Sequence, residues 1–463
     1  MKKLIAGIFL FMFSHVVLAA RVPASVADAL KRAKIPLSSI GIVVKETNSN
    51  KALLSINAAQ AMNPASTMKL LTTFSALEIL GPAYRWKTEA YLDGKLENGV
   101  LQGNVVFKGY GDPKLTVDQF WMWLRELRQR GVRDIRGNIV LDQSFFETIK
   151  YDAAEFDNDP SRAYNVAPNA LLLNFNALHL HLIPNGSATT ALLEPELAGY
   201  SVKNLITTSG KLACGGEDAY KIRLEGHTIL MEGSIPSDCG ETDDYFSLLQ
   251  HDEYFFAVFS ALWKELGGTI QGKVLTGSAP INQAPFATHH SQPLSEIIRD
   301  INKFSNNTMA RQLFLTIGTP DMNPANPASA TAAIHQWLNS IQLFFPELIL
   351  ENGAGLSRKE QIAPRHLFEL LQRATQSRYA AELESSLPIL GVDGTVNKRL
   401  KDTEMSGYAH LKTGTLKGVK SIAGFVKGRS GKRFIAVFIV NHSNAALTQP
   451  AQDALIEWLY DKH

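Results

Sequence analysis

The sequence is poor in cysteine, with two in 463 residues, Cys214 and Cys239. Neither belongs to a Cys-x-x-Cys spacing or has a histidine close by, which excludes the common zinc-binding patterns and leaves no metal assigned. Surplus charge is lacking too. Forty-six Lys and Arg face 44 Asp and Glu, so no basic face for nucleic acid is implied. No stretch beyond residue 20 is apolar for long enough to cross a bilayer. Three active-site signatures are also missing. The absent Gly-x-Ser-x-Gly elbow argues against an α/β-hydrolase, the absent phosphate-binding loop against an NTPase, and the absent His-Glu-x-x-His against a zinc protease. The pairs His179/His181 and His289/His290 have no acidic grouping beside them in sequence and read as surface or packing residues.

What is present begins with "MKKLIAGIFLFMFSHVVLAA". Two lysines, an apolar run from Leu4 to Val17 and the small residues Ala19 and Ala20 have the layout of a secretory signal peptide over residues 1–20. Export to the periplasm is therefore expected. Without Lys2 and Lys3 the chain has 44 basic and 44 acidic residues. In an exported protein, two glycine-flanked cysteines suit a structural disulfide between Cys214 and Cys239.

"GIVVKE" (41–46) and "KALLSIN" (51–57) read as strands around a short polar turn. Leu70, Leu71, Phe74, Leu77 and Leu80 then follow a helical period that Gly81-Pro82 stops. "YAHLKTGTL", "VKSIAGFV" and "KRFIAVFIV" read as three late strands, and "AQDALIEWLYDKH" as a terminal helix. The pattern predicts an α+β domain whose sheet draws on both chain ends, at residues 21–84 and 286–463. Alternating strand patterns dominate between them, interrupted by the helical "VDQFWMWLRELRQR", whose Phe120, Trp121 and Trp123 read as packing residues. This middle is expected to hold an inserted domain at 85–170 and 245–285, with a nested β-rich unit at 171–244.

Within "MNPASTMKLL", Ser66 and Lys69 are three residues apart and share a helical face. The plain reading is a capped helix with a solvated lysine. The chemical reading is a nucleophile beside its proton acceptor, which requires a neutral lysine and hence burial or a second cation. Two distant segments favour the chemistry. Ser305-Asn306-Asn307 separates two amphipathic helical stripes, and Lys412-Thr413-Gly414-Thr415 lies in a late strand where glycine marks a close backbone approach. Ser-x-x-Lys, Ser-x-Asn and Lys-Thr-Gly, in that order on helix, turn and strand, match the motif triad of penicillin-binding proteins and serine β-lactamases. Lys412 is then the second cation.

From about residue 25 onward the chain resembles the D-alanyl-D-alanine carboxypeptidase/endopeptidases of the DacB type, the low-molecular-mass class C penicillin-binding proteins. "PASTMKLLT", "KGYGDPKL", "NGAGLSR", "LPILGVDGTVNKR" and "HLKTGTLKGVKSIAGFV" carry the resemblance. The usual Gly-Gly-Gly-Asp-Pro is Gly109-Tyr110-Gly111-Asp112-Pro113 here, a departure outside the three motifs. The 239 positions between Ser66 and Ser305 correspond to that family's large insertion. The resemblance implies a β-lactamase/transpeptidase-like domain, antiparallel sheet flanked by helices, with two nested inserted domains and no cofactor.

It further implies that Ser66 is acylated, Lys69 and Asn307 assist it, Ser305 relays a proton and Lys412 supplies positive potential. Which group is the acylation base is left open. Thr413, Gly414 and Thr415 would bind the substrate carboxylate and its backbone. Asp159, in "FDNDPSRAYNVAP", or next Asp157, would meet the stem-peptide amine, unless the segment is a surface Asp-Pro turn. The expected partners are peptidoglycan stem peptides, with β-lactams as inhibitors. The oligomeric state is open, a homodimer included. A β-lactamase using the same site, or a non-catalytic peptidoglycan-binding scaffold, are the alternative readings.

Overall fold

The computed structural model describes residues 22–49, 51–208, 219–319 and 324–462. The expected leader at 1–20 and Cys214, one half of the expected disulfide, lie outside the described residues. Cys239 ends the short turn Ser237–Cys239.

Both chain ends build one five-stranded antiparallel sheet. Its order is Ala409–Leu416, Val419–Lys427, Arg433–Asn441, Ile40–Glu46, Ala52–Ile56. Strand Arg433–Asn441 joins the two ends, pairing Val437 with Val43 on one side and with Ala423 on the other. Seven of its nine residues are buried because both faces of the sheet are covered. Ile435, Val437 and Ile439 pack under helices Lys69–Leu80, Leu294–Lys303, Asn307–Ile317 and Pro364–Ala374. Phe434, Ala436, Phe438 and Val440 pack under Ala24–Arg32 and the terminal helix Gln449–Lys462. A strand buried on both faces reads as a continuous apolar run, as "RFIAVFIV" does. The late strand that carries Lys412 to Thr415 is the end strand of this sheet, its outer edge bridged to Ile389 at His410, just before Lys412.

Residues between Trp86 and Ser291 form two further sheets. One centres on the hairpin Lys87–Glu97/Val100–Gly109 and includes Ala287–His290, which lies past the expected boundary at 285 and pairs with Lys87–Glu97. The other runs Tyr220–Glu225, Thr228–Ile235, Ser201–Thr208, Ala188–Glu194, Leu178–Asn185, Thr242–Phe246. Its last strand ends two residues beyond the expected 244. Helices Val117–Gln129 and His251–Glu265 join both sheets in one apolar cluster. Phe107, fully buried, is at its centre, with ring centroids of Trp123 and Phe255 at 5.4 Å, Phe259 at 5.8 Å and Phe120 at 5.9 Å.

Truncating Phe107 removes a ring from contact with four others and leaves a void, at a cost of about 3–5 kcal/mol. Phe107→Ala is expected to lower the unfolding temperature of the inserted region by on the order of 10 °C in scanning calorimetry.

Candidate active site

Ser66 sits in the tight turn Ala65–Met68, directly before helix Lys69–Leu80. Ala65 adopts φ +47°, an unfavourable region for a residue with a side chain, and the surroundings impose it. Asn63 Oδ1 accepts from the Ala65 N–H at 2.9 Å, and the Asn441 side chain bonds both backbone groups of Asn63 at 2.8 and 3.0 Å. The Pro64 carbonyl accepts from Ser421 Oγ at 2.6 Å and Thr67 Oγ1 at 2.7 Å.

Two glycines allow other segments to close on this turn. A Cβ at Gly414 would stand 2.9 Å from the Ser66 nitrogen and 2.8 Å from the Pro64 oxygen; one at Gly355 would stand 1.9 Å from the Ala65 oxygen. The glycine in the late strand is thus explained by the closeness of the Ser66 backbone.

Lys69 is fully buried. Its Nζ lies 3.0 Å from Ser66 Oγ and 2.6 Å from Asn307 Oδ1, and it donates to the Ala354 carbonyl. Asn307 opens helix Asn307–Ile317, where Asn306 is the cap and accepts from the Met309 N–H at 2.9 Å. Immediately before it Ser305 takes φ +57°. Lys412, also fully buried, donates to Ser305 Oγ and to the Thr413 carbonyl, each at 2.8 Å. Helix, turn and strand therefore converge, and Ser66, Lys69, Ser305, Asn307 and Lys412 occupy one site.

Among the described residues no carboxylate lies within ion-pair distance of either lysine. Burial, reinforced by the positive charges of Lys412 and Arg311, holds the Lys69 ammonium well below its ordinary pKa. Burial lowers Lys412 to about 7. Glu360 acts in the opposite direction on Lys69. It is fully buried, and its Oε1 accepts the N–H groups of Glu351, Asn352 and Gly353 at 2.9–3.0 Å, which fixes the loop that presents the Ala354 carbonyl. Burial pushes its own carboxyl up.

Of the remaining expected residues, Thr413 Oγ1 bonds Thr395 Oγ1 at 2.8 Å, and the exposed Thr415 accepts from Lys420 Nζ at 3.0 Å. The loop bearing Asp159 reaches the site's rim. Arg311 donates to the carbonyls of Tyr164 and Val166, Thr308 donates to that of Ala163, and Arg358 lies 4.6 Å over the Phe156 ring. Asp159 itself turns back on its own loop, accepting from Ser161 Oγ at 2.6 Å and Arg162 Nε at 2.8 Å. Burial pushes its carboxyl up, but these bonds outweigh it and hold it below the ordinary range. It makes no hydrogen bond to the five converged residues.

Glu360, Arg311 and the Ala354 carbonyl went unidentified in the sequence. The glycines of "NGAGLSR" were a faint signal for the last; a charge in "SRKEQ" gave none for the first.

A family model for the D-Ala-D-Ala carboxypeptidase 3 (S13) family matches residues 22–462. The chain is 27% identical over 411 residues to D-alanyl-D-alanine carboxypeptidase DacB of Haemophilus influenzae, covering 87% of this chain and 85% of that protein. It is also 27% identical over 432 residues to a D-alanyl-D-alanine carboxypeptidase of Actinomadura sp., covering 90% and 80%. The crystal structure of penicillin binding protein 4 (dacB) from Haemophilus influenzae superposes with a TM-score of 0.77 at 26% identity, over 94% of this chain and 99% of that one. The fold class expected from sequence is the one observed. The motifs, the fold they sit on and the length of the match agree, and the chain belongs to the D-Ala-D-Ala carboxypeptidase 3 (S13) family.

Proposed function

We propose that the protein is a serine D,D-peptidase that cleaves peptidoglycan stem peptides through an acyl-enzyme on Ser66. The supporting observation is the hydrogen bonding of one nitrogen. A neutral amine has two N–H donors and one lone pair. Asn307 Oδ1 and the Ala354 carbonyl only accept, so they take the two N–H groups of Lys69. The lone pair is left facing Ser66 Oγ at 3.0 Å, positioned to receive its proton.

Ser66 Oγ then attacks the carbonyl that joins the two D-residues, and its proton passes to Lys69. The N–H groups of Ser66 and Thr415 serve as donors to the oxyanion, each typically worth about 3 kcal/mol. When the C–N bond breaks, the leaving amine takes a proton from Ser305 Oγ, which Lys412 restores across 2.8 Å. Water completes hydrolysis of the ester. Lys412, Thr413 and Thr415 hold the terminal carboxylate, and the open strand edge accepts the substrate backbone. A β-lactam follows the same path, but its ring-opened amine stays tethered to the acyl group.

D-Ala-D-Ala ends are the carboxypeptidase substrate, and D-Ala-meso-diaminopimelate cross-links the endopeptidase substrate. Asp159 belongs to the second activity: released from Arg162, its carboxylate would meet the stem-peptide amine. The periplasm, a cleaved leader at 1–20, a Cys214–Cys239 disulfide and the three-unit domain division are parts of the same reading, and the sheet pairings support moving the last boundary past His290.

Ser66→Ala is expected to abolish labelling by a fluorescent penicillin, seen as loss of the band on a gel. Acylation requires neutral Lys69, so its rate should fall as pH drops through that group's folded-state pKa. The Lys412 ammonium helps expel the Lys69 proton. Lys412→Met is therefore expected to move the acid limb of the pH profile for penicillin acylation upward; an unmoved limb would refute the coupling. Asp159→Asn is expected to slow release of products from cross-linked muropeptides about tenfold, while hydrolysis of an acetylated D-Ala-D-Ala tripeptide is retained, with mass spectrometry identifying the products.

A further inference from the structure

We propose that His179, His181 and Asp243 form a binding site for one divalent transition-metal ion, zinc by preference, on the outer face of the nested sheet. In strand Leu178–Asn185 the side chains of Leu178, Leu180 and Leu182 are fully buried. With a period of two, His179 and His181 share the opposite face.

The acidic group that no neighbouring position in sequence supplies comes from across the sheet. Strand Thr242–Phe246 runs antiparallel, with Asp243 opposite His181 and Tyr245 opposite His179. His179 Nε2 and His181 Nδ1 approach the same oxygen, Asp243 Oδ1, at 2.7 and 2.8 Å. One ligand atom from each residue lies within 4.8 Å of the others.

Zinc with bonds of about 2.0 Å sets its ligands about 3.3 Å apart. Side-chain shifts of about an ångström, with no change of backbone or register, would admit it. Two imidazoles and one carboxylate are a zinc donor set, whereas calcium and magnesium call for oxygen throughout.

Two neighbours complete the site. Glu241 Oε2 stands 3.4 Å from His181 Nε2. It would accept the N–H that remains when Nδ1 binds metal, the carboxylate–histidine arrangement that orients metal ligands. The Tyr245 ring stacks on His179 at 4.8 Å and 15°, holding the plane of that imidazole. The fourth position is open to water.

The metal would act as a cross-strand pin. Thr242–Phe246 is an edge strand of its sheet, and its far end connects to the loop that bears Asp159: Phe246 pairs with Arg162, and the Ser247 N–H donates to the Ser161 carbonyl at 2.7 Å.

The test uses the tag-free mature chain, stripped with EDTA and titrated with zinc chloride by calorimetry, beside His179→Ala/His181→Ala and Asp243→Asn. Fluorescent penicillin labelling reports that each variant is folded. The expected result is one equivalent of zinc bound at micromolar or tighter affinity, weakened at least tenfold in the double variant. Asp243→Asn keeps the shape of the site, should also weaken binding, and decides the matter if the double variant loses labelling. Absence of binding in the wild type, equal binding in the folded variants, or displacement by equimolar magnesium would overturn the proposal.

Discussion

One buried amine organises the catalytic domain. The Lys69 nitrogen meets groups from three segments far apart in sequence, the Ser66 turn, the head of helix Asn307–Ile317 and the loop at Ala354. An ammonium without a counter-ion is costly to bury, and the usual outcome is loss of its proton. In the proposed mechanism the same desolvation makes Lys69 a proton acceptor, and the two oxygens that cannot donate direct its lone pair toward Ser66 Oγ. Glu360 tempers the effect: it supplies negative potential while its carboxylate fixes the Ala354 loop.

Both hydroxyls that meet the lysines rely on backbone geometry that is unfavourable in isolation. Ala65, beside Ser66, and Ser305 itself both lie at positive φ. Such conformations cost roughly 1–3 kcal/mol and persist only where neighbours over-determine them. The Asn441 clamp on Asn63 does so for the first, and the Asn306 cap starts the helix just past the second.

Much of this was legible in the sequence, because the motifs coincide with strong local signals. The apolar run of Arg433–Asn441, the Gly81 stop after Leu80 and the alternation of "ALHLHLIP" each led to the element observed. The five converged residues were legible because hydroxyls and lysines in that order have few other uses. What escaped notice depends on tertiary pairing. Glu360 sits among charged residues and gives no hint that it is buried. Ala354 contributes only a carbonyl, which every residue has. Asp243 lies 62 positions from His181, and only strand register brings them together. Asp159 was visible as an acid but not as one held by Arg162, since the turn geometry that pairs them is not encoded in spacing alone.

The sheet also makes the site depend on both flanks of the inserted region. Among the described residues, strand Arg433–Asn441 links, within that sheet, the strands before the Ser66 turn to those that carry and flank Lys412. A fragment of the first 400 residues would hold Ser66, Lys69 and both inserted sheets, but neither Lys412 nor the strands that carry and anchor it. The pocket is therefore assembled from segments on either side of the inserted region, and a chain cut before Lys412 would carry Ser66 in an incomplete site.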